Sequence, residues 1–93
     1  MNAKRKGSRN ERRSIMLLER VAYRCSRSTA SLGEWDIIGV GPLDVVLVQV
    51  KTRDWPGLAE MERLRAFPAP ANCRKIVHRW RDGVRRPDVR EVP

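Results

Sequence analysis

Residues 33–52 read GEWDIIGVGPLDVVLVQVKT: two apolar runs, 34–40 and 43–52, joined across the turn residues Gly41-Pro42-Leu43. The pattern predicts a β-hairpin. Its second run, DVVLVQVKT, is apolar at both parities, as a strand covered on both faces is. Yet the hairpin also holds Asp36, Gln49 and Lys51. A core strand loses stability for every polar group it hides without a partner. Gln49 and Lys51 are two residues apart, so they share a face at a spacing of about 7 Å. Asp36 stands in the partner strand of the same hairpin. Three polar side chains thus converge where packing alone calls for none, and that is the pattern of a site.

Upstream, Ser8-Arg9-Asn10-Glu11 is a capping box, predicting a helix from Ser8 to about Arg24. Ile15, Leu18, Ala22 and Cys25 make its apolar stripe. Glu11 extends that stripe, four residues before Ile15, so its carboxylate leans toward the protein body. Residues 1–7, MNAKRKG, read as a flexible basic arm. YRCSRS predicts a short strand, followed by a loop of small residues, STASLG. Downstream, Pro56 suits the first turn of a second helix, 56–66, which FPAPAN ends. RKIVHRWRDG predicts a further strand, and Asp82-Gly83 a turn into a weak last strand near DVREV. The expected fold class is α/β: one domain over 1–93, a small mixed sheet flanked by helices in αβββαβ order.

Composition narrows the function. Twenty Lys and Arg against eleven acids give a net charge of +9, which suits a polyanionic partner. The apolar runs are too short to span a bilayer, and IMLL is too short for a signal-peptide core, so a soluble intracellular protein without a membrane partner is expected. Cys25, Cys73 and the single His78 lack the spacing of a zinc site. Phosphate contacts are expected from Lys4, Arg5, Lys6, Arg9, Arg12 and Arg13, with a second basic cluster at Arg79, Arg81, Arg85 and Arg86. Trp55 and Trp80 are assigned to the core and His78 to a structural role.

The converging side chains suit metal-assisted phosphodiester hydrolysis. Asp36 and Glu11 offer hard oxygens for Mg²⁺, with Mn²⁺ as the alternative ion, and the Gln49 amide oxygen and Val50 carbonyl extend the shell. Lys51 would stabilise developing negative charge or position the attacking water. Each residue also has a purely structural reading: Glu11 as part of the cap, Asp36 as a strand-edge acid, Gln49 bonded within the sheet, Lys51 snorkelling at a strand end.

The series Gly7-Ser8, Glu11, Arg27, Ser31, Gly33, Trp35-Asp36-Ile37-Ile38 and Gln49-Val50-Lys51 resembles the PD-(D/E)XK nuclease superfamily, and within it the archaeal-type Holliday junction resolvases and their bacterial and phage relatives. The resemblance covers residues 4–66. It implies a restriction-endonuclease-like core, with Glu11, Asp36 and Gln49 in the metal-ligand positions, Lys51 as the catalytic lysine, Ser31 as the loop serine near the cleaved strand and Arg27 among the DNA contacts. It also implies a homodimer acting on branched DNA or a four-way junction, in a cytoplasm of prokaryotic or phage origin. Two departures stand out. Trp35 replaces the usual proline, and Gln49 replaces the usual acid, as in Mrr-type restriction nucleases and virus-type replication-repair nuclease domains. The site thereby loses one negative charge, which weakens metal binding. Pro87-Asp88 also spells PD, but only five residues follow it. The function expected is a Mg²⁺-dependent, structure-selective DNA endonuclease of the resolvase type. The alternatives are another nicking, repair or restriction-type nuclease, or a DNA-binding module that has lost turnover.

Overall fold

The structure, a computed structural model, describes residues 3–28 and 33–93, with the side chains of 3–6 outside the description. Its elements are α1 (Ala3–Arg20), β1 (Arg24–Arg27), β2 (Ile37–Val40), β3 (Val45–Thr52), α2 (Leu58–Ala66), β4 (Cys73–Trp80) and β5 (Asp88–Val92). The described residues form one five-stranded sheet in the order β1-β2-β3-β4-β5. β3 is its middle strand. It pairs antiparallel with β2, Ile37 opposite Val48, and parallel with β4, Val48 opposite Ile76. A parallel neighbour needs a crossover, which α2 supplies. β1 and β5 close the edges as antiparallel partners of β2 and β4.

The two-parity apolar pattern of β3 is matched by burial on both faces. Val46 and Val48 join Leu18, Ile37 and Ile76 under α1. Leu47 joins Trp35, Leu64, Val77 and Val92 under α2. The expected hairpin and second helix are present, each trimmed by two or three residues, and the last strand lies at DVREV as expected.

The first helix departs from expectation at both ends. It begins at Ala3, so Ser8 is not its cap and residues 3–7 are helical. Ala, Lys and Arg are strong helix formers, and propagating an existing helix through them is favourable. The Ser8 hydroxyl instead accepts a bond from Arg27 Nη1 at 3.2 Å. At the other end the helix stops at Arg20 in a Schellman motif: Tyr23 N–H reaches the Leu18 carbonyl at 3.1 Å and Ala22 N–H the Glu19 carbonyl at 3.2 Å. The stripe facing the sheet is Asn10, Ser14 and Leu18, all buried. Its polar members are satisfied across the sheet. Asn10 Nδ2 donates to Thr52 Oγ1 at 2.9 Å, and Ser14 Oγ lies 2.9 Å from both Trp80 Nε1 and His78 Nδ1. The indole can only donate, so Ser14 Oγ accepts from Trp80 and keeps its hydroxyl proton and a second lone pair to meet His78 Nδ1.

Two outcomes follow. Ala22 holds φ at 76°, where its Cβ costs about 1 kcal/mol that glycine avoids. Ala22→Gly should therefore raise the urea midpoint, by roughly 0.5–1 kcal/mol of stability. Burial pushes His78 down from 6.5 to about 4. The unfolded chain takes up this proton near pH 6.5 and the folded chain only near pH 4, so stability drains as pH falls through that window. The loss approaches about 3 kcal/mol. Urea melts between pH 7 and pH 4 should show the loss in the wild type and much less of it in His78→Gln.

Candidate active site

Continuing the β2–β3 register one step past Ile37 and Val48 places Asp36 across from Gln49. The ladder does continue: Asp36 N–H donates to the Val48 carbonyl at 2.9 Å. The Asp36 carboxylate turns back on β3, where Oδ2 accepts the Val50 N–H at 2.7 Å. Burial raises the pKa of Asp36; the Val50 N–H opposes this, Glu11 adds to it, Lys51 opposes it and Glu60 adds to it. Five side chains and backbone groups from four elements therefore share one electrostatic neighbourhood.

Glu60 was not expected. It rises from the first turn of α2 and its carboxylate bridges two of the residues singled out above. Gln49 Nε2 donates to Oε2 at 2.8 Å, and Lys51 Nζ donates to Oε1 at 3.1 Å. The signal for it lay in helix periodicity. Glu60 precedes the wholly buried Leu64 by four residues, so the two share the face that α2 turns to the sheet. It is also an acid close in sequence to the strand that carries Gln49.

Gln49 is 4% exposed, and its Oε1 is buried without a hydrogen-bond partner among the described residues. An orphaned acceptor of this kind costs about 1–3 kcal/mol. Exchanging the amide's oxygen and nitrogen does not help, since it would set the oxygen against the Glu60 carboxylate and leave the NH₂ unpaired. The donors that stand ready are thus a carboxylate from β2's leading edge, an amide oxygen from β3 and a carboxylate from α2. These are hard oxygens of the type that Mg²⁺ takes. The described residues hold no cluster of three or more His, Cys, Asp or Glu side chains able to hold a metal, so an amide oxygen or main-chain carbonyl has to complete any such set.

The other expected residues fall around this centre. Glu11, 27% exposed in its side chain, faces Arg27 with 3.9 Å between Nε and Oε1. Arg27 also donates through Nη2 to the Ser8 carbonyl at 3.0 Å, tying β1 to α1. The Val50 side chain packs against the core under α1. Arg9 and Arg12 are exposed on α1. Arg13 is engaged by the protein itself: it donates to the Asn10 side chain and the Val84 carbonyl and lies 3.9 Å over the Trp80 ring. Lys4, Arg5 and Lys6 ride on the first turns of α1, and Ser31 lies outside the described residues. Trp35 is 1% exposed and meets Phe67 edge-on at 5.9 Å, a packing role. Asp88 of the second PD pair is held by Arg79 and Arg81, and the Arg79 hydrogen bond is the largest cause of its lowered pKa.

No family model matches the chain, and no curated protein matches it in sequence. Among solved structures, the Holliday junction resolvase Hjc of the archaeal hyperthermophile Archaeoglobus fulgidus superposes with a TM-score of 0.69 over 95% of this chain and 72% of that one, at 22% identity. At that identity the likeness is one of fold, over nearly the whole chain. The chain is a small α/β protein built on the resolvase nuclease fold.

Proposed function

We propose that the chain is a metal-dependent endonuclease that hydrolyses phosphodiester bonds in DNA, acts on branched or four-way-junction substrates and works as a homodimer. The observation that carries this reading is the buried Gln49 Oε1, without a partner among the described residues, on the side chain whose amide meets the Glu60 carboxylate shared with Lys51. Such a group is explained by a cation that it helps to hold. Asp36, Gln49 and Glu60 would bind Mg²⁺, or Mn²⁺, with the Val50 carbonyl and Glu11 at the margin of the set. A bound ion would supply the charge that polarises a phosphoryl oxygen and makes water a better nucleophile. Lys51, drawn off Glu60 once that carboxylate has a cation to serve, would donate to the oxygen on which negative charge grows. Arg9, Arg12, Lys4, Arg5 and Lys6 on α1, with Arg27, would meet the backbone phosphates, and Ser31 would stand near the cleaved strand. The resolvase likeness in fold supports a four-way junction as substrate, and two symmetric cuts there call for two symmetric subunits. The net charge of +9 supports DNA as the partner. No described helix is long and apolar enough to cross a membrane, in keeping with a cytoplasmic enzyme.

A labelled four-way junction beside a matched linear duplex, incubated with protein and Mg²⁺, tests this directly. Paired symmetric nicks confined to the junction are the expected result. Cutting of both substrates leaves a nuclease without junction preference, of the repair or restriction type. Binding without cutting in Mg²⁺ or Mn²⁺ leaves a DNA-binding module. Lys51→Ala should lower cleavage by about 10²-fold or more while DNA binding stays near the wild-type level.

The second test concerns where the acid resides. Glu60→Gln removes the site's charge from α2 and should raise the Mg²⁺ concentration for half-maximal cleavage by about tenfold or more. The double exchange Gln49→Glu with Glu60→Gln restores the acid to β3 and keeps a hydrogen bond between the pair. Recovery of metal affinity in the double variant is expected. A double variant no better than Glu60→Gln would remove these two residues from the ligand set.

A further inference from the structure

On the face of the sheet that carries Lys51, a row of cations continues away from the candidate site. Lys51 sits opposite Arg79, Arg79 opposite Asp88, and Val77 opposite Arg90. Cross-strand partners face the same way, and so do residues two apart, so Lys51, Arg79, Asp88 and Arg90 share one face. Trp55, in the segment after β3, joins them: its ring lies 4.0 Å from the Arg90 guanidinium and 4.6 Å from that of Arg79. Asp88 holds Arg79 through Nε at 3.2 Å and Arg81 through Nε at 3.1 Å. Two guanidiniums therefore share the Asp88 carboxylate, and one of them shares the Trp55 ring with a third, that of Arg90. Arg90 is exposed and has no ion pair among the described residues.

Structure alone gives little reason to hold two like charges on one ring, since they repel and an exposed tryptophan compensates each only weakly. What the ring does is hold the Arg90 head in place, so less rotamer freedom is lost when an anion arrives. The spacing also fits. β3 and β5 are two strand separations apart, about 10 Å, and Arg90 lies two residues along β5 from Asp88, so Lys51 and Arg90 are far enough apart to meet different phosphates of one strand.

We propose that Trp55, Arg79, Arg81 and Arg90 form a docking site for a second backbone phosphate of the DNA strand held at Lys51. The site rests on the nuclease reading above and extends it, by giving the substrate a lane across β4 and β5 in addition to the contacts on α1.

Binding of a labelled duplex in EDTA, measured against salt concentration, tests the lane without cleavage. Arg90→Gln should lower the slope of log affinity against log salt by about one and weaken binding several-fold for any sequence, while Arg90→Lys should keep the slope. Arg74→Gln is the control, because Arg74 lies at the opposite end of β4 and is paired with Glu91. Its slope should stay at the wild-type value. An unchanged slope in Arg90→Gln, with the wild type binding DNA, overturns the lane and leaves the nuclease intact. Equal losses in Arg90→Gln and Arg74→Gln overturn it too, since the slope would then follow net charge. A wild type that binds no DNA at low salt overturns both readings.

Discussion

The structure depends on the two-sided burial of β3. Val46, Leu47 and Val48 point alternately into two apolar layers, so neither face of the strand tolerates water and each needs a cover. One cover is α1, which precedes the hairpin. The other is α2, which has to leave β3, cross the sheet and return to a parallel partner. Parallel pairing sets the ends of β3 and β4 side by side, and the residues that follow both strands collect at one edge of the molecule. The chemistry-bearing residues are there. Gln49 and Lys51 close β3, Asp36 opens β2, and the cations of β4 and β5 lie beside them.

Polar groups do as much as apolar ones to hold the helices in position. The apolar stripe expected on α1 is in fact led by Asn10 and Ser14, each buried and each bonded to a residue of β3 or β4. A hydrogen bond of this kind adds about 1 kcal/mol net, but leaving one unmade costs more, so the pair fixes the register of the helix on the sheet. That register is what points Glu11 toward Arg27 and the Asp36 neighbourhood.

The architecture was legible wherever periodicity was strong. Val and Ile at both parities marked β3 as central, and the spacing of Pro56 and FPAPAN bracketed the crossover helix. Helix ends were less legible. Ser8 and Glu11 make a capping box in sequence, but the basic residues before Ser8 extend the helix as readily as they end it, and local propensity between the two cannot be told apart without the docking of Arg27. Asp36, Gln49 and Lys51 stood out because they violate the apolar pattern of their strands. Glu60 did not, because an acid in the first turn of an exposed helix is what helix electrostatics favours anyway. Arg13 read as one more surface cation, whereas its stacking on Trp80 requires the α1–β4 contact that only the folded chain makes.

With one of its carboxylates on α2, the candidate site depends on how that helix is held. A carboxylate on β3 would be anchored in the strand with the most neighbours. Glu60 instead sits on a nine-residue helix whose N-cap, Gly57, offers no side-chain bond and whose one wholly buried residue is Leu64. The same helix closes the second apolar layer through Leu64, so docking of one short element both seals the core and delivers the Glu60 carboxylate. When it lifts, Gln49 and Lys51 lose their shared partner together and the β3 face beneath Leu64 meets water. Assembly of the polar centre and completion of that layer are thereby one event.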